Sequence, residues 1–134
     1  RIVLVGGCFD ILHPGHVIFL EKAKKAGDML VVFLESDKKV RKLKGMNRPM
    51  QIQLDRAQVL SALRSVDYVV LLPYLKNDAG NDKLVGKIKP DVIAATVKDV
   101  NTSHHYRSAK KVGAKFKLVI KTIAQYSTSK ILGP

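Results

Sequence analysis

Two histidines stand three residues apart in the run Gly6-Gly7-Cys8-Phe9-Asp10-Ile11-Leu12-His13-Pro14-Gly15-His16. The apolar run Ile2-Val3-Leu4-Val5 leads into it, and an amphipathic stretch at 17–26 leads out. That order reads as strand, glycine turn, then helix. At the start of the helix, His13 and His16 share one side of the first turn. Unpaired backbone N–H groups and the helix dipole favour an anion at the same place. A strand end, small residues, a helix N-terminus and two imidazoles together make a site suited to handling phosphate.

The elements that must hold this site alternate along the whole chain. Strand-like runs fall at Val3-Leu4-Val5, 29–34, 68–72, 92–95 and 116–120, with helix-like stretches at about 17–26, 51–64, 82–88 and 103–112. A last helix is predicted to start near Ser127. Continuous Val/Ile/Leu strands joined by helical crossovers predict an α/β fold: a Rossmann-like, doubly wound parallel sheet of five strands forming a single domain over 1–134. Ligands in such sheets bind beyond the carboxyl ends of the strands, which is where the opening motif falls. The segments 38–50 and 74–81 read as the least structured, the second carrying the turn residues Asn77-Asp78-Ala79-Gly80.

The spacing Gly-Gly-x-Phe-Asp-x-x-His-x-Gly-His at residues 6–16 resembles the HxGH signature of the cytidylyltransferase-like nucleotidyltransferases. The likeness continues through Ser36-Asp37, Arg41-Lys42-Leu43-Lys44-Gly45, Asn47-Arg48-Pro49, Asp55-Arg56 and Val66-Asp67-Tyr68-Val69. It resumes at Ser127-Thr128-Ser129-Lys130-Ile131. The pattern is similar to the small-molecule branch of that superfamily, which includes the nucleotidyl-transfer domain of ADP-heptose synthases, glycerol-3-phosphate cytidylyltransferases and archaeal FAD synthetases.

The resemblance implies an enzyme that transfers a nucleoside monophosphate from a nucleotide triphosphate to a phosphorylated small molecule and releases pyrophosphate. The attacking phosphate is already an anion, so catalysis rests on alignment and on cancelling negative charge. By the same resemblance His13, His16 and Lys44 are the catalytic residues, with the imidazoles on the triphosphate and Lys44 reaching over it. Gly6, Gly7 and Gly15 are expected to let backbone N–H groups approach phosphate, although Gly15 equally suits close helix packing. Cys8 fills a small slot in the turn. Phe9 either walls the nucleotide pocket or packs in the core. Asp10 suits three roles: orienting an acceptor group, holding Mg²⁺ through water, or holding the turn. Arg48 and Arg56 have the planar guanidinium for paired phosphate contacts, and Arg56 could instead pair with a helix neighbour. Ser127, Thr128 and Ser129 have the side chains to cap the last helix, and the resemblance implies that this N-terminus faces the first and binds the triphosphate. Mg²⁺ is expected to accompany the triphosphate.

Composition narrows the classes. At 134 residues with 46% hydrophobic and 26% charged residues, the chain is ordinary for one globular domain. It contains no run of the roughly 18 apolar residues that a membrane span needs. Cys8 is the sole cysteine, which excludes an internal disulfide and suits a cytoplasmic setting. The chain opens on a strand-like run with no signal peptide or initiator Met, and it ends soon after the last helix begins. Further residues are expected at both ends. The 24 Lys and Arg against 11 Asp and Glu leave a net charge of +13, which attracts polyanions. The four Phe and four Tyr are scattered and form no stacking platform, so nucleic acid is the lesser candidate beside a triphosphate. Relatives of this type are commonly dimers, and the sequence leaves the oligomeric state open, with a homodimer one of the options.

One segment departs from the family pattern. After Pro90-Asp91-Val92-Ile93, where relatives carry glycines, an acid and an aromatic, this chain has Ala94-Ala95-Thr96-Val97-Lys98-Asp99-Val100, followed by His104-His105-Tyr106-Arg107. The adjacent histidines lack metal-ligand spacing. No Arg or Gly of the CTP-using type precedes Ser127, which leans the nucleotide toward ATP and the acceptor toward a heptose-phosphate-like sugar phosphate, as in lipopolysaccharide core biosynthesis. FAD-synthetase-like adenylyl transfer to FMN stands as an alternative, as does a non-catalytic nucleotide- or RNA-binding module.

Overall fold

The computed structural model describes residues 1–97 and 102–120. Five strands, β1 (Ile2–Gly7), β2 (Met29–Leu34), β3 (Tyr68–Leu71), β4 (Val92–Thr96) and β5 (Lys115–Ile120), alternate with helices α1 (Pro14–Lys24), α2 (Asp37–Lys44), α3 (Gln53–Ser61), α4 (Asp78–Ile88) and α5 (Thr102–Val112). The strands pair in parallel in the order β3-β2-β1-β4-β5. The connections lead outward from β1 through β2 to β3, then return to β4 and β5. The switch point therefore lies between β1 and β4, beside the Gly6-Gly7 end of β1. The predicted doubly wound α/β sheet is the architecture observed.

Alternate residues of the strands feed two cores, as the two-residue period of a strand dictates. Val3, Val5, Leu30, Val32, Leu34, Val92 and Ala94 pack with Phe19, Leu20 and Ala23 of α1 and Leu60 of α3. Leu4, Val31, Phe33 and Ile93 point to the other face, against Val85 of α4 and Ala109 of α5. Asp67, just before β3, accepts from Leu30 N at 2.7 Å and also pairs with Lys24 of α1, tying three elements at the end of the sheet opposite the motif.

Two predicted loops are partly helical. Residues 37–44 form α2 although only Val40 of that helix is buried. Ser36 Oγ accepts from Lys39 N at 3.1 Å, Asp37 lies in the first turn, and Arg41, Lys42 and Lys44 lie in the last. Capping and charge placement along the dipole thus support a helix whose lysines hide its periodicity. The turn residues at 77–80 open α4, where Asn77 Oδ1 accepts from Gly80 N at 3.4 Å. The predicted last helix lies outside the described residues.

Leu20 is fully buried where α1 meets the sheet. Leu20→Ala is expected to lower the unfolding free energy by about 2–5 kcal/mol, read from urea titration, because a cavity opens between α1 and the strands.

Candidate active site

The chain leaves β1 through a strained turn. Phe9 and Ile11 both adopt the left-handed conformation, with φ of 46° and 58°. For a β-branched residue such as Ile11 this costs on the order of 1 kcal/mol or more, and it persists only where the surroundings enforce it. The turn delivers His13 to the N-cap of α1 and His16 to its third position. The two side chains form a reciprocal cap: Gly15 N donates to His13 Nδ1 at 3.2 Å, and His13 N donates to His16 Nδ1 at 3.3 Å. An imidazole nitrogen that accepts carries no proton, so in each neutral ring the proton sits on Nε2. The ring centroids are 3.9 Å apart.

The electrostatics agree with that tautomer. Burial pushes the His16 pKa down to about 3, helped by His13 and the Lys44 ammonium. Burial and Lys44 also lower His13. Both rings are therefore neutral N–H donors at ordinary pH. Lys44, an exposed side chain at the end of α2, lies close enough to act on both histidines and on Cys8. The sequence-predicted catalytic trio is thus gathered at one place.

Two buried ties hold the opposing loop against the turn. Both Asp10 oxygens accept: Arg48 Nε and Met50 N donate to Oδ2 at 2.7 Å each, and Gln51 N donates to Oδ1 at 3.0 Å. Burial pushes the Asp10 carboxyl up, but those bonds outweigh it and hold its pKa below the usual range. Of the roles considered for Asp10, the geometry shows it holding the turn to the loop. Arg48 Nη2 is buried and has no hydrogen-bond partner among the described residues. The expectation that Arg56 contacts phosphate is corrected. Its side chain is 0% exposed, and its guanidinium donates to Gln51 O at 2.9 Å, Cys8 O at 2.7 Å and Asp37 Oδ1 at 2.6 Å.

The small residues divide by role. Gly7 faces the Phe9 ring, where a Cβ would stand 2.9 Å from Cε2. Phe9 belongs to the core, and its ring also sits 5.6 Å, centroid to centroid, from His16. Gly15 is buried in α1 with its N–H engaged by the cap. A Cβ on Gly6 would lie 3.3 Å from His105, which brings α5 against the end of β1. Burial raises the Cys8 thiol, with Lys44 opposing, as suits a filler rather than a nucleophile. Ser127, Thr128 and Ser129, and most of the divergent segment after β4 (98–101), lie outside the described residues.

Sequence reasoning missed Glu35. It follows β2 directly, its N–H donates to Gly7 O at 3.0 Å, and burial raises its carboxyl pKa against the pull of Lys39 and Arg56. Its position at the carboxyl end of a central parallel strand was the available signal. Among the described residues no three His, Cys, Asp or Glu side chains cluster as a metal site. The engaged oxygens of Asp10 do not suit direct ligation of Mg²⁺.

The cytidylyltransferase-like family model matches residues 4–132. Bifunctional protein HldE of Campylobacter fetus subsp. fetus is 44% identical over 122 residues, covering 91% of this chain and 24% of that protein. Bifunctional protein HldE of Wolinella succinogenes is 52% identical over 97 residues, covering 69% and 19%. The chain thus spans about a quarter or less of the length of these relatives. Among solved structures, the lipopolysaccharide core biosynthesis protein from Thermoplasma volcanium GSS1 superposes with a TM-score of 0.72 at 30% identity, over 90% of this chain and 95% of that one. Pantothenate synthetase from Thermus thermophilus, at 14% identity and a TM-score of 0.55 over 89% of this chain and 54% of that one, shares the fold.

Two outcomes follow from the site. Arg56→Met leaves two half-buried carbonyls and Asp37 without their donor, and is expected to cost about 3 kcal/mol in thermal or urea unfolding. Because the folded His16 pKa lies below the unfolded one, the unfolded chain binds more protons between about pH 6.5 and 3. The stability from His16 is complete above that window and is lost as pH falls through it. The expected slope is at most about 1.4 kcal/mol per pH unit, and His16→Asn should flatten it.

Proposed function

The chain belongs to the cytidylyltransferase-like family, and on that footing we propose that it transfers a nucleoside monophosphate from a nucleotide triphosphate, with ATP favoured over CTP, to a phosphorylated sugar. A phosphate oxygen of the acceptor attacks the α-phosphorus, the bond to the bridging oxygen breaks, and pyrophosphate leaves with the electron pair. The observation that carries this reading is the reciprocal His13–His16 cap, which presents two neutral Nε2–H donors at a helix N-terminus beside a lysine.

Those donors suit charge that builds on the α-phosphate, because they are pre-aimed and need no proton change. Lys44 adds a mobile positive charge over the triphosphate. Arg48, held by Nε on Asp10 with Nη2 unpartnered among the described residues, supplies a second cation to the phosphates. Mg²⁺ enters as part of the nucleotide substrate, carried by its phosphates and water. Ser127, Thr128 and Ser129, which lie outside the described residues, are proposed to add hydroxyl donors to the phosphates. A sugar phosphate of heptose type is favoured as acceptor by the likeness to Bifunctional protein HldE and to a protein of lipopolysaccharide core biosynthesis.

Calorimetric titration with Mg-ATP and Mg-CTP tests the reading. The wild type should prefer one nucleotide, His16→Ala should bind it much more weakly, and turnover should fall about 10²–10³-fold, as when one donor to a developing oxyanion is removed. Folded wild-type protein that binds neither nucleotide would refute it.

A further inference from the structure

Beside the Gly6 end of β1, on the α4–α5 face of the sheet, lie two cavities that share the walls Glu35, Asn81 and His104. The inner one, about 30 Å³, reaches Gly6 and His105 at the end of β1. The outer one, about 150 Å³, opens between the end of β2 and the start of α4, with Lys39, Lys76 and Asp78 at its rim. That volume holds several water-sized groups. The inner cavity is lined in part by apolar strand side chains, whereas polar residues make up most of the outer one's lining.

Most polar groups here are fixed by one another. His104 Nδ1 lies 3.1 Å from Asp78 Oδ1, Asn81 Nδ2 donates to Ser108 Oγ at 3.2 Å, and Arg107 donates twice to Asp82 at 2.8 and 3.1 Å. Glu35 is held by none of these contacts. Its carboxylate takes no hydrogen bond or ion pair among the described residues, yet burial raises its pKa. A half-buried carboxylate without donors is costly, and hydroxyl groups of a ligand would supply them. Its own backbone N–H donates to Gly7 O at 3.0 Å, which ties the end of β2 to the end of β1, where the turn toward the histidines begins.

We propose that this double cavity is the seat of the acceptor's hydroxyl-bearing end and that Glu35 is a specificity-determining residue, accepting hydrogen bonds from adjacent sugar hydroxyls while the acceptor's phosphate reaches past Gly6 toward the histidine pair. The proposal rests on the nucleotidyl-transfer reading above and adds to it where the second substrate sits and what selects it. Asn81 and the His104–Asp78 pair complete the polar wall. The ligand class is a polyhydroxylated phosphate; a plain alkyl phosphate has nothing to offer Glu35.

The test compares D-mannose 1-phosphate with ethyl phosphate, followed by amide NMR shifts in the presence of Mg²⁺ and a non-hydrolysable ATP analogue. The wild type should bind the sugar phosphate at least tenfold more tightly, with shifts at Gly6, Glu35, Asn81 and Ser108. In Glu35→Gln that preference should fall about tenfold while the affinity for the ATP analogue stays unchanged, and Asn81→Ala should weaken the sugar phosphate in the same sense. Sugar phosphate that leaves these resonances unmoved, or a preference equal in wild type and Glu35→Gln, overturns the acceptor pocket while leaving nucleotide transfer intact. Failure of the wild type to bind the ATP analogue is the separate result that removes the premise itself.

Discussion

Two buried ionic ties, Arg56 to Cys8 and Asp37, and Arg48 to Asp10, are the constraint on which the rest of the site depends. The turn between β1 and α1 holds two residues in the left-handed region, and nothing within the turn itself favours that. Arg56 grips the turn's backbone at Cys8, and Asp10 grips the opposing loop through two amides and a guanidinium. Each charge is hydrogen-bonded as well as paired, the condition under which a buried charge is tolerated. The same grip brings the start of α2 to Arg56 through Asp37, and so sets where the far end of that helix, with Lys44, can lie.

The net charge of +13 sets the attraction for a polyanion but not the proposed chemistry at a phosphorus. At the histidines the protein removes charge: His16 is held neutral by burial, and the cap decides which nitrogen keeps the proton. Positive charge is supplied beside the rings instead, by Lys44. Separating the two makes the donors insensitive to pH across the neutral range and leaves charge neutralisation to a side chain that can move. Glu35 runs against the general positive field, and an acid kept without a partner among the described residues makes sense beside a neutral, hydroxylated group.

Much of the fold was legible because the strands are continuous apolar runs, which only a sheet covered on both faces can accommodate. The opening motif was legible because strand, glycines and helix start follow one another directly. What was misread shares a cause. The helix α2 hides its period under lysines. Arg56 and Asp37 carry no sign that they meet, because they lie 19 residues apart in sequence. A charged side chain is read as a surface one unless its partner is known, so the sequence offers Arg56 a phosphate or a helix neighbour, and the buried guanidinium instead spans to Cys8 and Asp37. Glu35 was passed over for the converse reason, since a lone acid after a strand looks like an ordinary strand end.

The sequence by itself determined the element order, the parallel sheet and the place of the histidine-bearing turn, since these follow from local periodicity and from residues adjacent in the chain. Only the tertiary structure decided that the histidines cap one another, that Arg56 is a strut, and that Glu35, Asn81 and His104 share a wall. These depend on which side chains meet across the switch point and on how far each is withdrawn from water. Contact and desolvation are properties of the packed chain, and no spacing along it encodes them.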